Sequence, residues 1–271
     1  MPLTVVPTPV GNLEDMTLRG LRVLREADVI ACEDTRHTLQ LLNHYEIKKP
    51  LISCHEHNEK ERCNEIAQLV RSGKNIALVS DAGTPGLSDP GGIVVKYMFE
   101  NNLPVDVLPG ANALLPALLL SGIEMERFTF VGFLKGKDSE KRKTLAEYAE
   151  VKNTLVFYMA PHGLLKEIEL LASVLGNRKA SLVREISKIH QETVTAALYS
   201  FKNLITQEQL RGEFVCVVEG ACEQKTDDME WLGEAKKLYG TGETIKNVVN
   251  LIAEKYGVAP NRIKKALLGA K

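Results

Sequence analysis

The densest run of titratable side chains is Ser53-Cys54-His55-Glu56-His57-Asn58. Two imidazoles two residues apart in extended chain share one face, so His55 and His57 can handle a proton or contact a substrate together. With Cys54 and Cys63 they would offer metal ligands, but the spacing matches no standard zinc pattern. A second cluster, Cys32-Glu33-Asp34-Thr35-Arg36-His37, mixes both charge signs at the end of an apolar run. It either positions a substrate and supplies an acid or base, or caps the next helix through Asp34 or Thr35 with Arg36 paired to a neighbour. Lys135, Lys137, Lys141, Arg142 and Lys143 form the densest basic run, diluted by Asp138 and Glu140. That run reads as a solvated helix face or as a grip on RNA phosphates. Arg262, Lys264 and Lys265 offer a weaker patch.

Three Gly/Pro-rich turns follow apolar runs, at residues 7–12, 80–91 and 108–113. Open α/β sheets bind ligands at the carboxyl ends of their strands. Glycine there lets backbone approach a ligand, and Asp81 can accept hydrogen bonds from a hydroxyl or amine. No GxGxxG follows a strand, and the glycine–lysine run at 132–137 has the wrong spacing for a phosphate-binding loop. These two absences disfavour a dinucleotide-binding Rossmann domain and a P-loop ATPase.

Positioning these turns requires an alternating chain. Strands are expected at 3–7, 29–32, 51–53, 76–80 and 105–108, with helices at 17–27, 35–45, 59–72, 92–100 and 111–121. Asp15 is the expected cap of the first helix, with Leu18, Leu21, Val23 and Leu24 as its apolar set. Gly73 closes the third, and the last reads as buried. The βαβα order predicts a parallel sheet with helices on both faces, and the apolar run 76–80 suits a strand covered on both sides. A shorter, mixed half follows, with strands at 127–131, 154–159, 181–185, 193–198 and 213–219 and helices at 139–149, 164–175 and 204–210. Residues 223–228 are polar and linker-like, and helices are expected at 229–238, 244–256 and 261–268. The domains are therefore expected at 1–121, 122–222 and 223–271.

The 271 residues are 44% hydrophobic and 25% charged, the balance of a globular protein. Lys+Arg and Asp+Glu number 34 and 35, so no global basic field exists and any RNA contact must be local. Five cysteines, odd in number and without CxxC, read as reduced thiols of a cytoplasmic protein. No signal-peptide core is visible, and the uncharged stretch 107–123 is short and broken by Pro and Gly. Neither export nor a membrane segment is expected, and no metal.

Taken together, the segments resemble the class III, tetrapyrrole-methylase-like S-adenosylmethionine enzymes, and within them the cytidine 2′-O-methyltransferases of small-subunit ribosomal RNA. The stretches that carry the resemblance are Val6-Pro7-Thr8-Pro9-Val10-Gly11-Asn12-Leu13-Glu14-Asp15, Glu33-Asp34-Thr35-Arg36-His37-Thr38, His55-Glu56-His57-Asn58-Glu59, the 80–91 loop, and Gly212-Glu213-Phe214-Val215. The turn Pro109-Gly110-Ala111-Asn112-Ala113 departs from the family's Pro-Gly-Pro-Ser-Ala but keeps small residues.

The resemblance implies two α/β domains with S-adenosylmethionine in the cleft between them, a small helical C-terminal extension, and a homodimer. It places cofactor contacts on Pro9, Asp81, Gly83, Thr84, Ala111, Asn112, Met159, Glu213 and Phe214. It implies 2′-O-methylation of a cytidine in the decoding region of 16S rRNA of the small ribosomal subunit. His57, Asp34 and Glu33 are then the candidates for the base, and Arg36, His55, Lys135, Lys137, Lys141, Arg142 and Lys143 for RNA contact. C-methylation of a tetrapyrrole, and a non-enzymatic RNA-binding assembly factor, are the rival readings.

Overall fold

The computed structural model describes residues 2–222 and 228–268, in two compact units, Met1–Ala113 and Leu114–Lys271. In the first unit five strands, β1 (Leu3–Val5), β2 (Val29–Cys32), β3 (Leu51–Ser53), β4 (Ile76–Val79) and β5 (Val105–Val107), form one sheet in the order β3-β2-β4-β1-β5. Every pairing is parallel. Four helices connect them: α1 (Leu18–Glu26), α2 (Thr35–His44), α3 (Glu59–Arg71) and α4 (Gly92–Glu100). All four residues of β4 are buried, and two apolar clusters flank the sheet. The expected parallel α/β architecture is therefore present. The chain runs outward from β1 to β3, then returns to insert β4 between β2 and β1. That reversal of direction is where open α/β sheets build ligand sites.

Local details differ from the sequence reading. Thr17, not Asp15, caps α1, accepting from Gly20 N, while Asp15 ends a short 3-10 turn. Leu18 lies outside the apolar set and is 86% exposed, because the burial stripe passes through Gly20 and Leu24.

The second unit carries β6 (Phe128–Phe133), β7 (Thr154–Met159), β8 (Lys179–Arg184), β9 (Glu192–Ala197) and β10 (Phe214–Val218), ordered β6-β7-β10-β8-β9. The pairing of β6 with β7 is parallel and the others are antiparallel, as a mixed half requires. Its helices are α5 (Leu114–Ser121), α6 (Asp138–Glu147), α7 (Leu164–Leu175), the single turn α8 (Phe201–Leu204), α9 (Asp228–Gly240), α10 (Ile245–Tyr256) and α11 (Pro260–Leu268). The helix expected at 204–210 is instead α8 followed by a 3-10 turn at Gln207–Gln209, because Ile205 is extended and breaks the run.

Where the sequence places its boundary after Ser121, α5 packs against β8 and β10 of this unit. It is not buried all round, since Leu115, Leu119 and Leu120 are exposed. Helices α9 to α11 enclose their own apolar cluster around Trp231, Ile252 and Ile263. Of the stretch read as a linker, residues 223–227 lie outside the described residues. No helix among the described residues is long and apolar enough to cross a membrane.

Candidate active site

At the carboxyl edge of the first sheet the three Gly/Pro turns are tied to one another. Thr8 and Gly83 exchange both backbone hydrogen bonds, each at 2.9 Å, and the Thr8 hydroxyl donates to Ser80 O at 3.1 Å. The Thr84 hydroxyl donates to Ala111 O at 3.0 Å. Gly110 lies against the ring of Pro7, where an added Cβ would come within 2.8 Å of Pro7 Cβ. Pro9, Gly83, Thr84, Ala111 and Asn112 are thus brought together as an edge of backbone and small side chains. A Gly110→Ala variant must push the first and third turns apart, at a cost of about 1–3 kcal/mol. A lower denaturation midpoint in urea checks this.

Glu33 and Asp34 leave β2 beside Ser80 and Asp81 leaving β4, because Cys32 and Val79 are paired in register. Asp34 N donates to Asp81 Oδ1 at 3.0 Å. The Asp34 carboxylate accepts from Arg36 N at 2.8 Å, Nε at 3.1 Å and Nη2 at 2.6 Å. Asp34 therefore caps α2 and pairs with Arg36, the two together as the capping alternative expects. The hydrogen bonds from the Arg36 guanidinium hold its carboxyl far below the ordinary range, which makes Asp34 a weak base.

Glu33 is the opposite case. Desolvation, then the negative charges of Asp81, Asp34 and Glu56, push its carboxyl up, against a backbone hydrogen bond from Asp81 that lowers it. A half-buried carboxylate with a raised pKa is a better proton acceptor than one held low.

The next strand end, after β3, carries the histidines. His55 N donates to Asn58 Oδ1 at 2.8 Å, and Asn58 Nδ2 donates to Ser53 O at 3.2 Å. The two imidazoles meet edge to face with centroids 5.9 Å apart. His57 is exposed, whereas the buried Nδ1 of His55 has no hydrogen-bond partner. Burial pushes the Cys54 thiol up to about 12, so it is not poised as a thiolate ligand. No group of His, Cys, Asp and Glu that could hold a metal occurs among the described residues.

In the second unit, Met159 at the end of β7 is paired with Phe214 at the start of β10. Both side chains are buried in the apolar core, so only backbone remains for a ligand. Glu213 is held by a device that the sequence reading leaves out. Glu213 N donates to Glu185 Oε1 at 2.9 Å, and Lys188 Nζ bridges Glu185 at 2.9 Å and Glu213 at 3.0 Å. Glu185 and Ser187 both adopt positive φ, strained backbone of the kind that collects at functional sites. An added Cβ on Gly212 would fall 2.3 Å from Glu185 Oε1. The run Arg184-Glu185-Ile186-Ser187-Lys188 was the available signal.

The basic run is divided. Lys141 is half-buried and paired with Glu167 at 3.3 Å, and Arg142 donates to Ser173 at 2.7 Å. Lys135 and Lys137, in the loop before α6, and Lys143 are exposed.

Comparisons with known proteins point to one family. The family model of the tetrapyrrole (corrin/porphyrin) methylases matches residues 2–202. The chain is 42% identical over 264 residues to the ribosomal RNA small subunit methyltransferase I of Bacillus subtilis (strain 168), covering 97% of this chain and 88% of the relative. It is 38% identical over 268 residues to the protein of the same name from Haemophilus influenzae, covering 96% and 94%. Among solved structures, uroporphyrin-III C-methyltransferase from Thermus thermophilus, in complex with S-adenyl homocysteine, aligns with a TM-score of 0.56 at 22% identity, over 81% of this chain and 97% of that one. The methyltransferase CobJ aligns with a TM-score of 0.62 at 18% identity, over 81% and 94%. With its family model spanning most of the chain and its relatives matching nearly end to end, the chain belongs to the tetrapyrrole methylase family, in the group of the ribosomal RNA small subunit methyltransferases I.

Proposed function

We propose that the chain transfers a methyl group from S-adenosylmethionine to the ribose 2′-hydroxyl of a cytidine in the decoding region of 16S rRNA, in the cytoplasm. The observation that carries this reading is the convergence, at one sheet edge, of the three tied turns with the Glu33, Asp34 and His55–His57 group. The residues fit such a cofactor. Gly83 adopts φ +79°, a conformation that L side chains rarely take, and so shapes the turn between Asp81 and Thr84, and Asp81 keeps a second carboxylate oxygen as an acceptor beyond the bond from Asp34.

When bound, the cofactor supplies a methyl already activated by its positive sulfur. The chain's own task is then positioning and proton removal. Glu33 is the candidate that takes the hydroxyl proton. Asp34 holds Arg36 and the start of α2, and His57 and His55 line the approach of the acceptor. Arg36, Lys135, Lys137 and Lys143 are proposed phosphate contacts, with Lys141 and Arg142 anchoring α6 through Glu167 and Ser173. A flexible cytidine is the suitable target, because the 2′-hydroxyl is read in splayed rather than paired RNA.

Two further features are proposed with it. The exposed leucines of α5, with Leu119 at 65% exposure, make an apolar face of the type that pairs with another copy. A sedimentation mass of twice the chain supports the homodimer, and a monomer mass contradicts it. The segment 223–271 is proposed as a separate helical extension, on the strength of its own core.

Incubation of the protein with labelled S-adenosylmethionine and small ribosomal subunits tests the substrate class. RNase treatment of the product should release the label. Label carried instead on a tetrapyrrole, with none on RNA, would favour the small-molecule alternative. Lys137→Glu combined with Lys143→Glu should raise KM for RNA and reduce the slope of log affinity against log salt by about one for each phosphate left unpaired. Filter binding across salt concentrations measures it, and kcat should hold.

A further inference from the structure

Glu59 is the first residue of α3 and is only 4% exposed. A carboxylate in a first helical turn ordinarily faces its own helix dipole and solvent. Here it is turned into the core toward another helix. Its Oε1 accepts from Gly91 N at 2.9 Å, Ile93 N at 2.8 Å and Val94 N at 3.1 Å. These are the unpaired donors at the start of α4. Gly91 has no side chain to cap them, and its backbone conformation and close neighbours disfavour one. An added Cβ would lie 3.2 Å from Gly86 N and from Pro85 Cβ, and φ there is +122°.

The backbone of Glu59 belongs to a different loop. Its N donates to His55 O at 2.9 Å, and Asn58 N donates to the same oxygen at 3.0 Å, closing the turn that carries both histidines. The loop at 80–91 is closed in turn by Gly86 N donating to Pro90 O at 3.0 Å. One residue therefore has its main chain in the histidine turn and its charge at the far end of the glycine loop. A buried carboxylate satisfied by three amides tolerates little displacement, since each donor removed leaves charge unsolvated.

We propose that Glu59 is a positioning residue that locks the histidine turn at 55–58 to the glycine loop at 80–91, and so fixes the acceptor side of the site against the cofactor side. The proposal rests on the function proposed above for its meaning, and its test is built to be judged separately.

The variants are Glu59→Gln, which keeps the shape and one acceptor oxygen, and Glu59→Ala, which removes both. Ile66→Val, in the buried face of the same helix, serves as a control that lowers stability while leaving the carboxylate in place. Binding of S-adenosylhomocysteine by calorimetry, without RNA, should weaken about tenfold or more in Glu59→Ala and less in Glu59→Gln. kcat at saturating RNA should fall in the same order, and the control should keep both values despite a lower melting temperature. If Glu59→Gln and Glu59→Ala melt earlier yet retain binding and kcat, Glu59 is structural only and the proposal is overturned. If Glu59→Ala does not fold, Glu59→Gln decides alone. Should wild-type protein bind S-adenosylhomocysteine but methylate no RNA, the functional reading fails, and the binding series still decides the role of Glu59.

Discussion

Replacing Glu33 with Gln should lower kcat by about 10²–10⁴-fold at saturating cofactor and RNA, with cofactor affinity close to wild type. The carboxylate is half-buried, and burial together with the charge of Asp81 raises its pKa. A base must be ionised to accept a proton. Activity should therefore fall as pH drops through the raised pKa of Glu33, above the ordinary value of 4.5. In Glu33→Gln that limb of the pH–rate profile should vanish. Asp34→Asn should behave differently. Arg36 already suppresses proton uptake at Asp34, so the main loss there is the cap of α2, seen as a lower melting temperature. Single-turnover transfer of labelled methyl across pH separates the cases. Full activity in Glu33→Gln with loss in His57→Ala would move the base to the histidine turn.

The second large effect is expected at Asp81. Asp81→Ala removes the acceptor of Asp34 N, bound at 3.0 Å, and the carboxylate proposed to hold the cofactor. Affinity for S-adenosylmethionine should fall about 10²-fold. Asp81→Asn keeps an acceptor oxygen and loses only the charge. With that charge gone, the ionised form of Glu33 is easier to reach, so the acid limb of the kcat profile should move to lower pH. Calorimetry measures the first effect and the pH–rate profile the second. An unchanged affinity in Asp81→Ala would remove this residue from the cofactor site.

Much of this layout is legible in the chain itself. Ile76 to Val79 is apolar throughout, and turn residues follow it at once, so both the strand and its ligand-facing end can be read. The Asp34–Arg36 pair spans two residues, and the capping pattern announces it. Contacts between distant positions are not announced. Glu33 meets Asp81, and Glu59 meets Gly91, only because β4 enters between β2 and β1, a pairing no local pattern encodes. The leucines of α5 illustrate a different gap. Composition alone reads them as buried, yet Leu119 is 65% exposed, because a helix apolar on every side carries no period that tells its covered face from its open one. At Ile205 a helical run is broken by one extended residue, which propensity summed over a window does not resolve.

The identity of the methylated nucleoside bears most directly on the proposed reaction. Small ribosomal subunits lacking the modification would be incubated with the protein and labelled S-adenosylmethionine, and the RNA digested to nucleosides. Label in 2′-O-methylcytidine from a single position of the decoding region is the predicted result. Label in a base-methylated nucleoside, or none in RNA from protein that binds the cofactor, would contradict it.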